Sequence, residues 1–258
     1  MESAIQRVMS LSQLIPSPEV DAAFMALRRE VAQAAEYPDI TPEMAAELRR
    51  RCAMIERETE QQWAYDIAQA ERPQEMIENA PHYEVYGELV RRELSLVART
   101  GLVLDRHAEV AIIGSGPLPL TAWWVRRLTG AWLTHIDISE DAIRASECVA
   151  CALDWKCEHI LSDGQEVSLD PERYDMIYVA GLAGRDGQEK QRIIDSVLCG
   201  LKPEGRIVMR SARGVRGLLY PAFSVDDIHG IQLKEAYHPT DDIINSVYVY
   251  GKDGNGED

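Results

Sequence analysis

The sequence predicts an α/β protein whose seven-stranded, mostly parallel sheet follows an N-terminal region made only of helices. In residues 1–100, apolar residues recur at helical spacing, as at Met44, Leu48 and Ile55. Further along the chain, short apolar runs alternate with helical segments, which is typical of a parallel sheet with crossover helices. The last two runs have a short connection, which favours an antiparallel hairpin at one edge of the sheet.

Three helices of the N-terminal region are predicted from their start and stop signals. The segments "PSPEVDAAFMALRREVAQAAEY" and "ITPEMAAELRRRCAMIERETEQQWAYDIAQA" each carry Ser or Thr, then Pro, then Glu near their start. These residues supply an N-cap, a first helical residue with a suitable φ and an acid in the positive first turn. A third helix is expected from about residue 81 to residue 99, where Gly101 ends it. We therefore predict a helical domain over residues 1–103.

Residues 104–258 are predicted to form the sheet domain. Its strands are expected in seven runs: "EVAIIGSG", "AWLTHIDIS", "CEHILSD", "YDMIYVAGL", "GRIVMRSA", "IQLKEAYHP" and "NSVYVYGK". A sheet of this kind resembles the Rossmann-like sheet of S-adenosylmethionine-dependent transferases. The tail "DGNGED" at residues 253–258 is expected to be disordered.

The charge balance and the lack of long apolar runs exclude several classes of protein. With 43 acidic and 27 basic residues, the net charge is −16, and such a surface repels nucleic acid and anionic membranes. The N-terminus lacks the basic start and apolar run of a signal peptide, and no stretch reaches the roughly 18 apolar residues that span a bilayer. We expect a cytoplasmic protein without nucleic-acid or membrane partners.

Three of the five cysteines lie close together in "CVACALDWKC", at Cys148, Cys151 and Cys157. Such a group could indicate a metal or cluster site. No second ligand pair of suitable spacing follows, and the segment falls where a helix beside the sheet is expected. We therefore predict structural cysteines and no metal.

A glycine turn follows the first predicted strand, and acids follow the next two. Gly114 and Gly116 let a ligand approach the backbone, Asp137 is placed to accept ribose hydroxyls, and Asp163 is placed to meet an adenine amino group. Acids at strand ends are also common helix caps, so neither acid alone indicates a ligand. The two acids together with Gly114 and Gly116 support adenosine binding. The residues predicted to bind it are Gly114, Ser115, Gly116, Pro117, Leu118, Asp137, Ile138, Asp163, Gly164 and Ala180.

The turn favours a sulfonium ligand over a phosphate. No third glycine of the dinucleotide fingerprint is present, and no Gly-Lys-Ser or Gly-Lys-Thr phosphate loop occurs in the chain. Pro117 and Pro119 remove amide donors that would otherwise face an anion. S-adenosylmethionine therefore fits better than NAD.

Four stretches resemble the nicotianamine synthase family, in the order that the family has them. They are "PHYEVYGELVRRE" at 81–93, "GSGPLPLT" at 114–121, "RSARGVRGLLYP" at 210–221 and "HPTDDIINSVYV" at 238–249. The resemblance implies that an amine attacks the γ-carbon of the methionine chain of S-adenosylmethionine. The 3-amino-3-carboxypropyl (aminobutanoyl) group then moves to the amine, and 5′-methylthioadenosine leaves without the help of a metal.

The resemblance also implies roles for individual residues. Glu60 matches the acid of the family that lies about twenty-six residues before Tyr86, and it is the expected base. Trp63 and Ile67 share its helix face, and partial desolvation would raise the pKa of the Glu60 carboxyl; a solvated polar face is the other interpretation. Tyr86 would hydrogen-bond the reacting amine or shape the pocket. The predicted substrate contacts are Tyr83, Glu84, Arg210, Arg216 and Tyr220.

This chain of 258 residues is shorter than the plant members of the family. In length it is more similar to the bacterial branch, which makes opine metallophores of the staphylopine and pseudopaline type. This similarity implies histidine as acceptor, one transfer, a product passed to an opine dehydrogenase, and a possible homodimer. Arginine outnumbers lysine by 22 to 5, which leans toward the pseudopaline-like branch and L-histidine. The alternatives are a nicotianamine synthase proper, with repeated transfer and cyclisation, and an ordinary methyltransferase.

Overall fold

The computed structural model describes residues 1–252 and contains one seven-stranded sheet in the order β3-β2-β1-β4-β5-β7-β6. The predicted tail at residues 253–258 lies outside the described residues. The strands are β1 (Glu109–Ile113), β2 (Trp132–Asp137), β3 (Glu158–Leu161), β4 (Tyr174–Val179), β5 (Leu201–Ser211), β6 (Ile231–Tyr237) and β7 (Ser246–Lys252).

The first five strands pair in parallel, and β7 runs antiparallel to both of its neighbours, β5 and β6. The α/β class and the antiparallel hairpin at the edge of the sheet are therefore confirmed. The strand order reverses direction between β1 and β4. In open sheets of this kind, ligands bind in the crevice outside the carboxyl ends of the strands at such a point.

Eight α-helices lie within residues 1–252. They are α1 (Glu2–Ser10), α2 (Pro18–Gln33), α3 (Pro42–Gln69), α4 (Pro73–Glu78), α5 (Tyr83–Arg99), α6 (Leu120–Thr129), α7 (Glu140–Ala152) and α8 (Gly187–Val197). None of these helices combines the length and the apolar composition that a membrane span requires. The predicted caps are present, because Ser17 accepts the N–H of Val20 and Thr41 accepts the N–H of Met44.

The sequence did not predict α1 and α4. Helix α1 has no side-chain cap, and α4 is only 6 residues long. Their start signals are therefore weak, and packing against neighbouring helices supplies most of the stability of such short helices.

The helices share their apolar cores with the sheet side of the molecule. One core joins residues of α5 and α6, such as Val90 and Val125, to residues of β1, such as Val110. A second core joins α1, α2 and α3 to the chain after β5, for example Leu27 and Leu48 to Leu218. The helical region is thus packed beside the carboxyl ends of the strands, where the site described below lies. The division into domains at residues 103 and 104 stays a prediction.

Candidate active site

A cavity of about 590 Å³ lies at the carboxyl ends of β1, β2 and β4. The residues that contribute to it follow the strands directly, so the parallel sheet brings separate sequence segments to one edge. All ten residues predicted to bind adenosine line this cavity: Gly114, Ser115, Gly116, Pro117, Leu118, Asp137, Ile138, Asp163, Gly164 and Ala180. Their contact with a ligand stays a prediction.

The glycine turn is held by backbone hydrogen bonds to β2. The N–H groups of Gly114 and Ser115 both donate to the carbonyl of Ile136, at 2.8 and 3.1 Å. Gly114 and Gly116 have φ values of +76° and +71°, a region that glycine reaches without steric cost. The chain therefore turns sharply away from the sheet and leaves open space above β1.

Asp137 braces the same turn. One carboxylate oxygen accepts the N–H of Gly116 at 2.9 Å, and the other accepts the N–H of Ser139 at 2.9 Å. A carboxylate oxygen can accept more than one hydrogen bond, so both oxygens can also accept ligand hydroxyls. Asp137 thus shapes the cavity and offers a negative group to its contents.

Asp137→Asn is expected to weaken binding of S-adenosylmethionine by about 10- to 150-fold. The amide group would set an NH₂ donor against the N–H of Gly116 or Ser139, and hydrogen bonds to a charged group contribute about 1.5–3 kcal/mol. Titration calorimetry would measure the dissociation constant, with Asp39→Asn, at an exposed aspartate, as the control. Equal affinity of the two variants would contradict the assignment of Asp137.

The carboxylate of Glu60 reaches from α3 to the glycine turn. A Cβ added at Gly116 would lie 2.9 Å from the Oε2 of Glu60. Glu60 is half-buried and lines both cavities described in this subsection. Burial raises the pKa of Glu60 well above its usual value, and the negative charges of Glu56 and Asp137 raise it further. The desolvation expected from the sequence is therefore present.

Gly116→Ala is expected to lower kcat by about 10²-fold, because the new methyl group would displace the Glu60 carboxylate and a misplacement of about 1 Å can cost that much. Gly230→Ala is the matched control. Gly230 also has a positive φ, +74°, but a Cβ there would meet nothing within 4 Å. Steady-state kinetics would compare the two variants, and equal activity would refute the role of this contact.

Tyr86 projects from α5 into the same region and lines the cavity with Glu60. Burial raises the pKa of Tyr86, and the carboxylates of Glu60 and Glu56 raise it further. The phenol therefore keeps its proton at neutral pH. It can donate a hydrogen bond, and it is poorly suited to act as the base.

A second cavity of about 410 Å³ lies among α2, α3 and α5. Both cavities are lined by a common set of residues, here called the shared wall: Glu56, Glu60, Leu118, Leu120, Tyr86, Tyr220 and Asn245. The two residues predicted to be catalytic thus lie between two spaces of small-molecule size.

Tyr220 belongs to a network that sequence reasoning missed. Its hydroxyl donates to Glu56, and the guanidinium of Arg28 contacts both the Tyr220 hydroxyl at 3.1 Å and Glu56 at 2.9 Å. Burial raises the pKa of Glu56, and the charge of Arg28 opposes that shift. The sequence did offer one indication that Glu56 belongs to the site: it lies one helical turn before Glu60 and shares its helix face.

Arg210 lines the first cavity, but its guanidinium already has partners. Its Nε and Nη2 donate to the two carboxylate oxygens of Glu93 at 2.7 and 2.9 Å, and its Nη1 donates to Thr121 at 2.8 Å. Both members of the ion pair are buried, so Arg210 holds α5 against β5. The prediction that it binds a substrate carboxylate is not supported by this geometry. Glu93 was missed, although it lies seven residues after Tyr86 on one helix face.

Three predicted substrate contacts lie away from both cavities. The guanidinium of Arg216 donates to the carbonyls of Pro239, Asp241 and Ile243 at 2.6 to 2.7 Å, so it anchors a loop. Tyr83 is buried against Trp124, with ring centroids 4.9 Å apart, and Glu84 is exposed on the first turn of α5. Arg216 and Tyr83 thus have structural partners and Glu84 faces solvent, so the geometry does not support their predicted contact with the substrate.

The predicted residue Ser115 and two residues that were not predicted, Asn245 and Lys190, complete the surroundings of the cavity. The Ser115 hydroxyl and the Asn245 amide nitrogen are buried and have no hydrogen-bond partner within residues 1–252, so both are available to a ligand. Lys190 is fully buried on α8 and donates to the carbonyl of Ala180 at 2.8 Å. Burial lowers the pKa of Lys190 to about 7. Through this hydrogen bond Lys190 holds the backbone of the segment that follows β4.

The sheet order, the glycine turn and the acids at the strand ends define the fold of an S-adenosylmethionine-dependent transferase. The structure described as MtNAS in complex with MTA and tNA aligns with a TM-score of 0.84 at 21% identity, over 98% of this chain and 97% of that one. An S-adenosylmethionine-dependent methyltransferase from Clostridium acetobutylicum aligns with a TM-score of 0.52 at 10% identity, over 67% of this chain and 92% of that one. At these identities the likeness concerns the fold.

The family follows from the sequence. The family model "Nicotianamine synthase protein" matches residues 2–256. Nicotianamine synthase 9 of Hordeum vulgare is 34% identical over 94% of this chain and 74% of its own length. Nicotianamine synthase 3 of Oryza sativa subsp. japonica is 32% identical over 98% of this chain and 76% of its own length. The chain belongs to the nicotianamine synthase family, and the predicted family is confirmed.

Family membership also confirms the predicted co-substrate at the level of the family. Nicotianamine synthases take the 3-amino-3-carboxypropyl group from S-adenosylmethionine. The cavity fits such a molecule in three respects: the open glycine turn, the carboxylate of Asp137 and the exposed apolar side chain of Ile138 at its rim. The acceptor is not determined by family membership.

Proposed function

We propose that the protein transfers the 3-amino-3-carboxypropyl group of S-adenosylmethionine to the α-amine of histidine, with L-histidine favoured, and releases 5′-methylthioadenosine. The observation that carries this proposal is the position of Glu60 on the shared wall. S-adenosylmethionine would occupy the cavity at the glycine turn, and the acceptor would enter the cavity among the helices.

The reaction is a displacement at carbon. The lone pair of the acceptor amine forms a bond to the γ-carbon, and the bond between that carbon and the sulfonium sulfur breaks. The bonding pair stays on sulfur, which becomes the neutral thioether of 5′-methylthioadenosine. The amine nitrogen then carries a surplus proton, and Glu60 takes it.

Glu60 suits this task because burial and the nearby negative charges raise its pKa well above the ordinary value of a glutamate. A general base is most effective when its pKa lies near the working pH. Tyr86 would donate a hydrogen bond from its hydroxyl to a substrate oxygen, or accept one from the amine and so orient it. Arg28, Glu56 and Tyr220 would hold the acceptor close to Glu60.

The lining of the second cavity supports an amino-acid acceptor. Arg28 can meet a carboxylate, while Glu56 and Glu60 favour an amine. Trp63 and His82 also line this cavity, and burial lowers the pKa of His82 to about 4. An imidazole ring could therefore lie against an aromatic side chain and a neutral ring without charge repulsion.

A nicotianamine synthase proper is the second candidate. It is favoured by the identity of about one third to plant nicotianamine synthases over most of the chain. In that reaction the same base would serve repeated transfers, and the product would cyclise.

The test is mass spectrometry of the products. The purified protein would be mixed with S-adenosylmethionine and, in separate reactions, L-histidine, D-histidine, glutamate or no acceptor. 5′-methylthioadenosine with a histidine adduct of one aminobutanoyl unit is the expected result, and it also decides the stereochemistry. Nicotianamine formed without an added acceptor would favour the synthase, and S-adenosylhomocysteine would overturn the aminobutanoyl transfer.

Two further parts of the proposal concern the surroundings of the reaction. The helical domain would act as a lid that excludes water from the sulfonium and would carry the acceptor site. The histidine adduct would pass to an opine dehydrogenase, and the chain would act in the cytoplasm, as a homodimer, in the biosynthesis of an opine-type metallophore.

A further inference from the structure

A cluster of three metal-binding side chains lies outside both cavities, between β2, β3 and α7. One ligand atom each from His135, Cys157 and His159 can be chosen so that all three lie within 4.8 Å of one another. His135 and His159 are partners in the parallel register of β2 and β3, and their ring centroids are 4.7 Å apart. Two strands and the segment that leads into β3 therefore hold the cluster.

His135 carries an unexplained polar atom. The residue is fully buried, and its Nε2 has no hydrogen-bond partner within residues 1–252. Its Nδ1 lies 3.4 Å from the hydroxyl of Ser146, on α7, and the same hydroxyl lies 2.9 Å from the Nε2 of His159, which leaves the Nδ1 of His159 for a metal. A proton on Nδ1 would be shared with this hydroxyl, and the lone pair of Nε2 would then be free. Metal-bound imidazoles commonly have this arrangement, with the second ring nitrogen held by a hydrogen bond.

We propose that His135, Cys157 and His159 form a binding site for Zn²⁺ that braces β2 against β3. Two imidazoles and a thiolate are ligands that zinc prefers, and the hard cations Mg²⁺ and Ca²⁺ take oxygen ligands instead. A water molecule would complete a tetrahedral site. The side chains of His159 and Cys157 are half-buried, so a metal can reach them from solvent.

The charge states of the three groups are compatible with binding. Burial lowers the pKa of His135 to about 3, and it also lowers the pKa of His159, so both rings are neutral at neutral pH. Burial raises the pKa of the Cys157 thiol to about 11 in the metal-free protein. Binding would therefore release one proton from the thiol and become tighter as the pH rises.

The site would be structural, and for Cys157 it departs from the sequence-based expectation of cysteines without a metal, because the two histidines come close only in the folded sheet. None of the three ligands lines either cavity. His135 lies two residues before Asp137, and His159 lies four residues before Asp163, so a metal here would stiffen the two strands that lead to the predicted adenosine contacts. The inference does not depend on the identity of the acceptor.

The test uses Co²⁺ as a spectroscopic probe for Zn²⁺, in the full chain freed of metal by a chelator. Three other cysteines, Cys148, Cys151 and Cys199, are exposed and could bind metal on their own. The parent protein should therefore carry serine at these three positions. We expect one equivalent of Co²⁺ to produce a thiolate charge-transfer band and the visible bands of a tetrahedral complex, and one equivalent of Zn²⁺ to displace it.

Two further variants make the result specific. Cys157→Ser in the same parent should remove the charge-transfer band, and His159→Gln should weaken binding by at least tenfold. Zn²⁺ should raise the melting temperature of the parent and leave that of Cys157→Ser unchanged. No stoichiometric binding by the parent, or a band that survives Cys157→Ser, would overturn the proposal. The orphaned nitrogen of His135 would then be explained by a buried water shared with the nearby indole of Trp155.

Discussion

Glu60→Gln is expected to lower kcat by about 10²- to 10⁴-fold, while the dissociation constant of S-adenosylmethionine changes little. Glutamine keeps the size of the side chain beside Gly116 but cannot take a proton from the acceptor amine. Single-turnover release of 5′-methylthioadenosine would measure the chemical step, and titration calorimetry would measure binding. Near-normal turnover would refute the assignment of the base.

Glu58→Gln is the control for this variant. Glu58 lies on the same helix and lines neither cavity, so its amide should leave kcat unchanged. A loss of activity in both variants would indicate disturbance of α3 rather than loss of a base.

Glu60→Gln should lower activity but raise the stability of the fold at neutral pH. Burial raises the pKa of Glu60 in the folded state, so the folded protein is penalised when the pH exceeds the pKa of the unfolded chain and the carboxyl ionises. Glu60→Gln removes this penalty. We expect a higher melting temperature than that of the native protein at neutral pH, and no difference near pH 3, where the carboxyl is protonated in both states. The activity of the native protein should also fall with decreasing pH as Glu60 gains a proton.

Glu93→Gln is expected to destabilise the fold by about 3–5 kcal/mol, because it leaves the buried guanidinium of Arg210 without a countercharge. Denaturant unfolding, followed by circular dichroism, would measure the change. Glu88→Gln is the matched control on the same helix. Its carboxylate is 56% exposed and pairs with Arg92, so its loss should cost about 1 kcal/mol or less.

A double variant separates the ion pair from general damage to α5. Replacing Glu93 with Leu and Arg210 with Met removes both charges together, and such replacements often restore the stability of a buried pair. Stability close to that of Glu93→Gln alone would contradict the ion-pair explanation.

The fold could be predicted because its signals are local. Ser17 and Thr41 are caps that act on N–H groups three residues away, and the run at residues 110–113 of β1 is apolar without a break. Helix α1 lacks such a cap, and its apolar face becomes meaningful only against α2 and α3. The ligand cavity was predictable for a related reason, since the carboxyl ends of parallel strands must meet at one edge.

The arginines show where this reasoning fails. "RSARGVRG" does not reveal which guanidinium is free, because a side chain of this length can pair with distant residues. Arg210 pairs with Glu93, 117 positions away, and Arg216 binds carbonyls of the loop before β7. These partners become close only when α5 and that loop pack against β5.

The sequence by itself determined the order of helices and strands, the glycine turn with its acids, and the family of the protein, because each depends on short-range pattern or on matched motifs. Only the tertiary structure decided that Glu60 meets Gly116, that Arg28 and Glu56 join Tyr220, and that a second cavity opens among the helices. Those contacts join residues from distant parts of the chain. Their energies come from burial and charge pairing, which exist only after the helices have packed against the sheet.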